Sequence, residues 1–131
     1  MSIKITEHNE PKQEVLKVIK SRNTVELTTK VVNWVDEETG QHMVYMKAFE
    51  LTGYGKTLKD AKEMLKDSVD FFFYKIIKLD PDRIAKELKK YGWTKSKFST
   101  KQFSKAFVDI DGDLKNFNVK KSQVKSNLVT F

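Results

Sequence analysis

From Thr24 to Trp34 the chain is rich in β-branched residues, and Val25, Leu27, Thr29 and Val31 share one parity, the pattern of a strand with one face turned inward. A polar turn follows, Asp36-Glu37-Glu38-Thr39-Gly40, with the glycine at its end. In Gln41 to Phe49, Met43, Tyr45, Lys47 and Phe49 then alternate with His42, Val44, Met46 and Ala48. The two runs predict an antiparallel hairpin. Both parities of the second strand are fairly apolar, so it is either central and covered on both faces, or has one face kept for another chain. The next residues, Leu51-Thr52-Gly53-Tyr54-Gly55-Lys56-Thr57, read as a strand, turn, helix junction. Two glycines within three residues predict backbone conformations barred to residues with a Cβ, and Thr57 followed by Asp60 predicts a helix N-cap with an acid near the positive end of the dipole.

From Leu58 to about Leu79, Leu58, Ala61, Leu65, Val69, Phe72, Phe73 and Ile76 recur at three and four, the stripe of a helix packed on a sheet. Toward its end Phe71, Tyr74 and Ile77 add a second apolar face, which something must cover. Asp80-Pro81 predicts the N-cap and first residue of a second helix, with Ile84, Ala85, Leu88 and Tyr91 inward and Gly92 as its stop. That helix and a partner subunit are the two candidate covers.

The flanks are less patterned. Residues 1 to 13 are polar and read as a loose lead-in, and Val15, Leu16, Val18 and Ile19 fit a short helix as well as a short strand. After Trp93, Ser99-x-x-Gln102 fits a capping box over a short helix reaching Phe107. Asp111-Gly112 between the apolar runs Phe107 to Ile110 and Leu114 to Val119 predicts a hairpin. Val124, Leu128 and Phe131 fit a last half-buried helical turn or a segment that orders on binding. The expected architecture is α+β: a small antiparallel sheet of three to four strands, one long helix packed on it, a second helix, and a C-terminal hairpin or extension. The organisation expected is a lead-in over 1–22, an α+β domain over 23–92 and a basic extension over 93–131.

Composition narrows the chemistry. The 131 residues suit one domain, 33% are charged, and there is no cysteine, which removes disulfides, Cys-based zinc sites and thiol nucleophiles. Phe71 to Ile77, the longest strongly apolar run, is broken by Lys75 and falls far short of the roughly 20 residues of a membrane span. The N-terminus has no apolar signal region, so a cytoplasmic protein is expected. Net charge is +7, unevenly placed: Met1 to Gly92 carries 17 Lys and Arg against 15 Asp and Glu, whereas Trp93 to Phe131 carries 8 Lys against 3 Asp. That asymmetry fits either a phosphate-touching arm or a solvated lysine-rich surface.

No catalytic constellation stands out. His8 and His42 are not in a metal-binding spacing. Asp109, Asp111 and Asp113 alternate as in a calcium loop, but the glycine is fourth and Lys120 stands where the twelfth-position glutamate belongs. Gly55-Lys56-Thr57 resembles the end of a phosphate-binding loop without its leading glycine. A two-metal nuclease needs converging carboxylates, and the two clear strands offer only Glu26 and Glu50. Neither catalytic residues nor a cofactor or metal are therefore expected. In the tail, Trp93, Phe98, Phe103, Phe107 and Phe117 interleave with Lys95, Lys97, Lys101, Lys105 and Lys115, a pattern that serves base stacking if the rings are exposed and a small core if they are buried.

Taken in order, the strand Thr24 to Trp34, the turn at Glu38 to Gly40, the strand ending in Phe49, the signature Gly53-Tyr54-Gly55-Lys56-Thr57-Leu58-x-x-Ala61 and the long helix resemble the HicB-like antitoxin domain over roughly residues 24 to 80. Gly55 and Thr57 match the family's Gly-x-Thr, Asp60-Ala61 stands for its Glu-Ala, and Gly53 lies closer to Gly55 than in the family, implying a shortened loop. The resemblance implies a degenerate ribonuclease-H-like half domain, β-β-β-α-β, that does not catalyse. Such a domain masks a small, basic, RNA-cleaving toxin, usually as a homodimer or higher oligomer. The contacts expected on that basis are Trp34, Met43, Tyr45, Lys47 and Tyr54, at the sheet edge and on its exposed face. The alternatives are nucleic-acid binding through Lys95, Lys97, Lys101 and Lys105, and a structural domain that assembles with itself.

Overall fold

The computed structural model describes residues 13–96, 102–106 and 124–131. They form an α+β fold with an antiparallel sheet and two helices. Strands β1 (Gln13–Ile19) and β2 (Thr24–Val35) are joined through a 3-10 turn, Lys20–Arg22, closed by Asn23 in the left-handed region at φ 52. Strand β3 (His42–Met46) returns along β2 after the polar turn, where Gly40 takes φ +69 and its N–H donates to the Asp36 carbonyl at 2.8 Å. Strand β4 (Leu51–Gly55) leads into helix α1 (Leu58–Ile76), followed by α2 (Pro81–Lys89), β5 (Thr94–Lys95), β6 (Gln102–Ala106) and β7 (Lys125–Thr130).

Three strands pair with β2, and backbone parity fixes where. Leu27 exchanges both backbone hydrogen bonds with Phe131, at 3.3 and 2.7 Å, so the odd residues of β2 send their peptide groups toward β7. The even residues therefore bond to β1, from Thr24 to Thr28, and to β3, from Val32. Both strands thus leave the same edge of β2, one at each end. Where the sheet forks, Thr29 donates its hydroxyl to the Glu14 carboxylate, and both residues are buried. The β3 branch ends in β4, and the β1 branch continues through β6 to β5.

The branches are tied together beyond the fork by aromatic rings. Between β3 and β4 the chain turns at Lys47 to Glu50, with Glu50 at φ 54, and buries Ala48 and Phe49. The Phe49 ring lies 4.8 Å from Phe72, 5.1 Å from Phe73 and 5.4 Å from both Tyr91 and Trp93, and the Trp93 indole N–H donates to the Ala48 carbonyl at 3.3 Å. Such pairs add roughly 0.5–1.5 kcal/mol each beyond the area they bury. Helix α1 starts as expected: Thr57 accepts from the Asp60 N–H at 3.0 Å, and Ala61, Leu65, Val69, Phe73 and Ile76 face the sheet. In α2, Asp80 caps through the Arg83 N–H at 3.0 Å, Ile84 and Leu88 enter the core, and Gly92 ends the segment at φ +88.

Several expectations are corrected. The segment left open at Val15 to Ile19 is a strand. The second hairpin strand stops at Met46, because the following residues turn to bury Ala48 and Phe49. Leu51 to Gly55 is a strand in its own right, and neither Gly53 nor Gly55 has a positive φ. Both are required by close approach: a Cβ at Gly53 would meet the Ala61 carbonyl oxygen at 2.3 Å, and one at Gly55 would meet the Asp60 Cβ at 2.6 Å. Residues 102 to 106 are strand rather than helix, because they pair with the outer edge of β1 and set Phe103 opposite Leu16 in the core. Val124 to Phe131 supplies β7 instead of a helical turn, pairing with a β2 edge that would otherwise be bare. The sheet is correspondingly larger than the three or four strands expected. The Asp111-Gly112 hairpin lies outside the described residues.

Candidate functional site

The register places Trp34, Met43 and Tyr54 in one row across β2, β3 and β4, with Val32, Tyr45 and Thr52 in the next. Four of the five expected contact residues therefore share the sheet face opposite α1. Exposure is another matter. Trp34 is 4% exposed and Tyr45 6%, packed with Val32, Met43 and Val124 into a small second core, so the free face expected at Tyr45 is absent. Met43 and Lys47 are half-buried, Lys47 lying 3.4 Å from Glu50 in the turn, and Tyr54 is exposed. On the outer edge of β4, the Tyr54 N–H donates to the Met64 sulfur at 3.3 Å. A helix side chain thus covers part of a sheet edge that would otherwise accept another strand.

The larger apolar exposure is on α1. Phe71 and Tyr74, three residues apart and so on one helix face, are 58% and 60% exposed. α2 does not cover them, because its own apolar side faces Trp93 and the β1 branch; Val18, Ile84 and Phe103 line one cleft there. The rings are flanked by cations instead, with Lys75 Nζ 4.3 Å from the Phe71 ring centre and Lys78 Nζ 3.7 Å from that of Tyr74. A hydrogen bond from Lys78, and then its charge, hold the Tyr74 hydroxyl below the ordinary tyrosine pKa. The sequence signal was the second apolar face of the helix; the tertiary structure packs its Ile77 against the core and leaves Phe71 and Tyr74 exposed.

The four tail lysines are not gathered into a described site. Lys95 is exposed on β5, Lys105 stands opposite Glu14 in the β1–β6 ladder, and Lys97 and Lys101 lie outside the described residues. His42 opens β3, and His8 and the Asp109 to Asp113 run are outside the described residues. Among the described residues no group of three His, Asp or Glu could hold a metal, and no helix is long and apolar enough to cross a membrane.

A cleft of about 470 Å³ opens between α1 and the β2–β7 side of the sheet. Val31, Val44, Leu65, Val129 and Phe131 line it, with Asn33 and Asn127 on the strands and Lys62 and Lys66 on the helix. No family model, curated protein or solved structure matches the chain.

Proposed function

We propose that the protein is a non-catalytic binding domain that masks the surface of a partner protein, the role implied by the HicB-like resemblance, with a small RNA-cleaving toxin as the implied partner. The observation that carries this reading is the bare pair Phe71 and Tyr74 on α1. The described rings Phe49, Phe72, Phe73, Tyr91 and Trp93 are, by contrast, drawn into one aromatic cluster. Exposed aromatic side chains flanked by polar and charged ones are the usual anchors of protein interfaces. The docking surface is therefore assigned to the outer face of α1, with Tyr54 and Met64 at its margin, rather than to Trp34 and Tyr45.

The test is affinity capture of the tagged protein from its native lysate at low and roughly physiological salt, beside a Phe71→Ser/Tyr74→Ser double variant. Both rings are exposed, so the variant's stability should stay within about 0.5 kcal/mol of the parent. A small protein retained near equal stoichiometry in both salts, and lost with the variant, is the expected result. Equal retention by the variant overturns the assignment. RNA held only at low salt, or a mass that changes with concentration and no second protein, overturns the function itself.

A further inference from the structure

We propose that the cleft between α1 and the β2–β7 sheet is a binding site for a small amphipathic carboxylate, held by its apolar body inside and by its anionic head at Lys62 and Lys66. Three observations converge on it.

The first is shape. At about 470 Å³ the cleft falls within the few hundred to about 1,000 Å³ of small-molecule sites. At about 30 Å³ per water-sized unit it has room for roughly fifteen heavy atoms. Its floor is aliphatic, from Val31, Val44, Leu65 and Val129, with the Phe131 ring at one end.

The second is Asn33. It lies on the helix-facing parity of β2, is 8% exposed, and lines the cleft. Among the described residues its side chain makes no hydrogen bond, although every side-chain nitrogen or oxygen sealed from solvent there has a partner. The unbonded amide therefore opens into the cleft. Set in the wall of the cleft, the amide is available to a ligand oxygen without breaking any bond within the protein.

The third is charge. Lys62 and Lys66 are one helical turn apart, both exposed and both at the cleft. Among the described residues neither forms an ion pair, while the neighbouring Lys59 has Glu63 at 4.0 Å. Like charges at this spacing repel, and a bound anion between them reverses the sign of that interaction. Apolar floor, free amide and paired ammonium groups together fit a carboxylate on a hydrocarbon or aromatic body. None of these residues belongs to the Phe71 and Tyr74 face, so the site stands or falls independently of the docking role.

The experiment is a titration of the full chain with sodium decanoate below its micelle concentration, followed by amide and methyl resonances, with 1-decanol as the neutral comparator. The expected result is saturable binding of one decanoate per chain, with shifts at the Asn33 side-chain amide, Val31, Val44, Leu65 and Val129, and roughly tenfold weaker binding of decanol. A Lys62→Gln/Lys66→Gln variant, altered only at exposed positions, should bind decanoate roughly tenfold more weakly and decanol unchanged. Absence of saturable shifts, shifts centred on Phe71 and Tyr74, decanol binding as tightly as decanoate, or an unaffected variant would each overturn the proposal.

Discussion

Replacing Gly53 with alanine tests how closely helix and sheet are pressed together. An ideal Cβ there would sit 2.3 Å from the Ala61 carbonyl oxygen, 2.8 Å from the Leu65 amide nitrogen and 2.9 Å from Val44 Cγ2. Ordinary contact begins at 3.4 Å, so α1 would have to retreat by 3.4 − 2.3 = 1.1 Å to relieve the worst contact. Two of the three atoms are helix backbone, which cannot swing aside as a side chain does. A gap of about 1 Å forfeits up to half the dispersion energy of each pair it opens, and Ala61, Leu65 and Val69 all face the sheet along that line. Overpacking a fixed core costs about 1–3 kcal/mol, and a backbone clash belongs at the upper end, about 3 kcal/mol. With a urea slope of about 2 kcal/mol/M, the unfolding midpoint should fall by about 1.5 M. Gly40→Ala supplies the control, because its Cβ meets nothing within 4 Å and the substitution pays only for φ +69, about 1–2 kcal/mol. Urea melts followed by far-ultraviolet circular dichroism give both numbers. If Gly53→Ala lies within about 0.5 kcal/mol of the parent, or costs less than Gly40→Ala, the close-approach argument is wrong.

Two smaller predictions examine the aromatic cluster and the docking face. Trp93→Phe keeps a ring beside Phe49 but takes the indole donor from the Ala48 carbonyl, so Tm should fall by about 5 °C, corresponding to a loss of about 1–2 kcal/mol; an unchanged Tm would mean that the bond does not tie the two branches of the sheet. The Tyr74 hydroxyl, held low by Lys78, should ionise at lower pH than an ordinary tyrosine in an ultraviolet titration read against Tyr74→Phe. Removing the cation with Lys78→Gln disfavours the phenolate and should move that ionisation to higher pH; no movement would show that the lysine does not engage the hydroxyl.

The bare face of α1 and the covered face of β3 arise from one sheet. β3 lies between β2 and β4, with Val44 and Met46 under the helices and Tyr45 closed over on the other side by Val32, Trp34 and Val124. Its apolar character on both parities is the mark of a doubly covered strand, with Tyr45 buried and Met43 half-buried on the face away from α1. Among the described residues no such second layer lies on the outer face of the helix, where Phe71 and Tyr74 stay exposed.

Local pattern alone determined much of this protein. The β2–β3 hairpin and its Gly40 turn, the Thr57 and Asp80 caps, the inward stripe of α1 and the Gly92 stop were all legible, because each depends on residues within a turn or two of one another. What lay beyond reach was set by distant partners. Gln102 to Ala106 and Lys125 to Thr130 are strands because β1 and β2 present unpaired edges to them, and short segments with two or three apolar residues carry no period strong enough to announce it. Gly53 and Gly55 drew notice as glycines, but the reason for them is a helix lying across the strand. Trp34 and Tyr45 were legible as large and apolar; whether they are buried depends on Val32 and Val124. Asn33 gave no signal in sequence, since an asparagine in a strand gains meaning only from the cleft it opens into. Periodicity records which side of an element is apolar, and only the packed chain decides which of those sides remain in water.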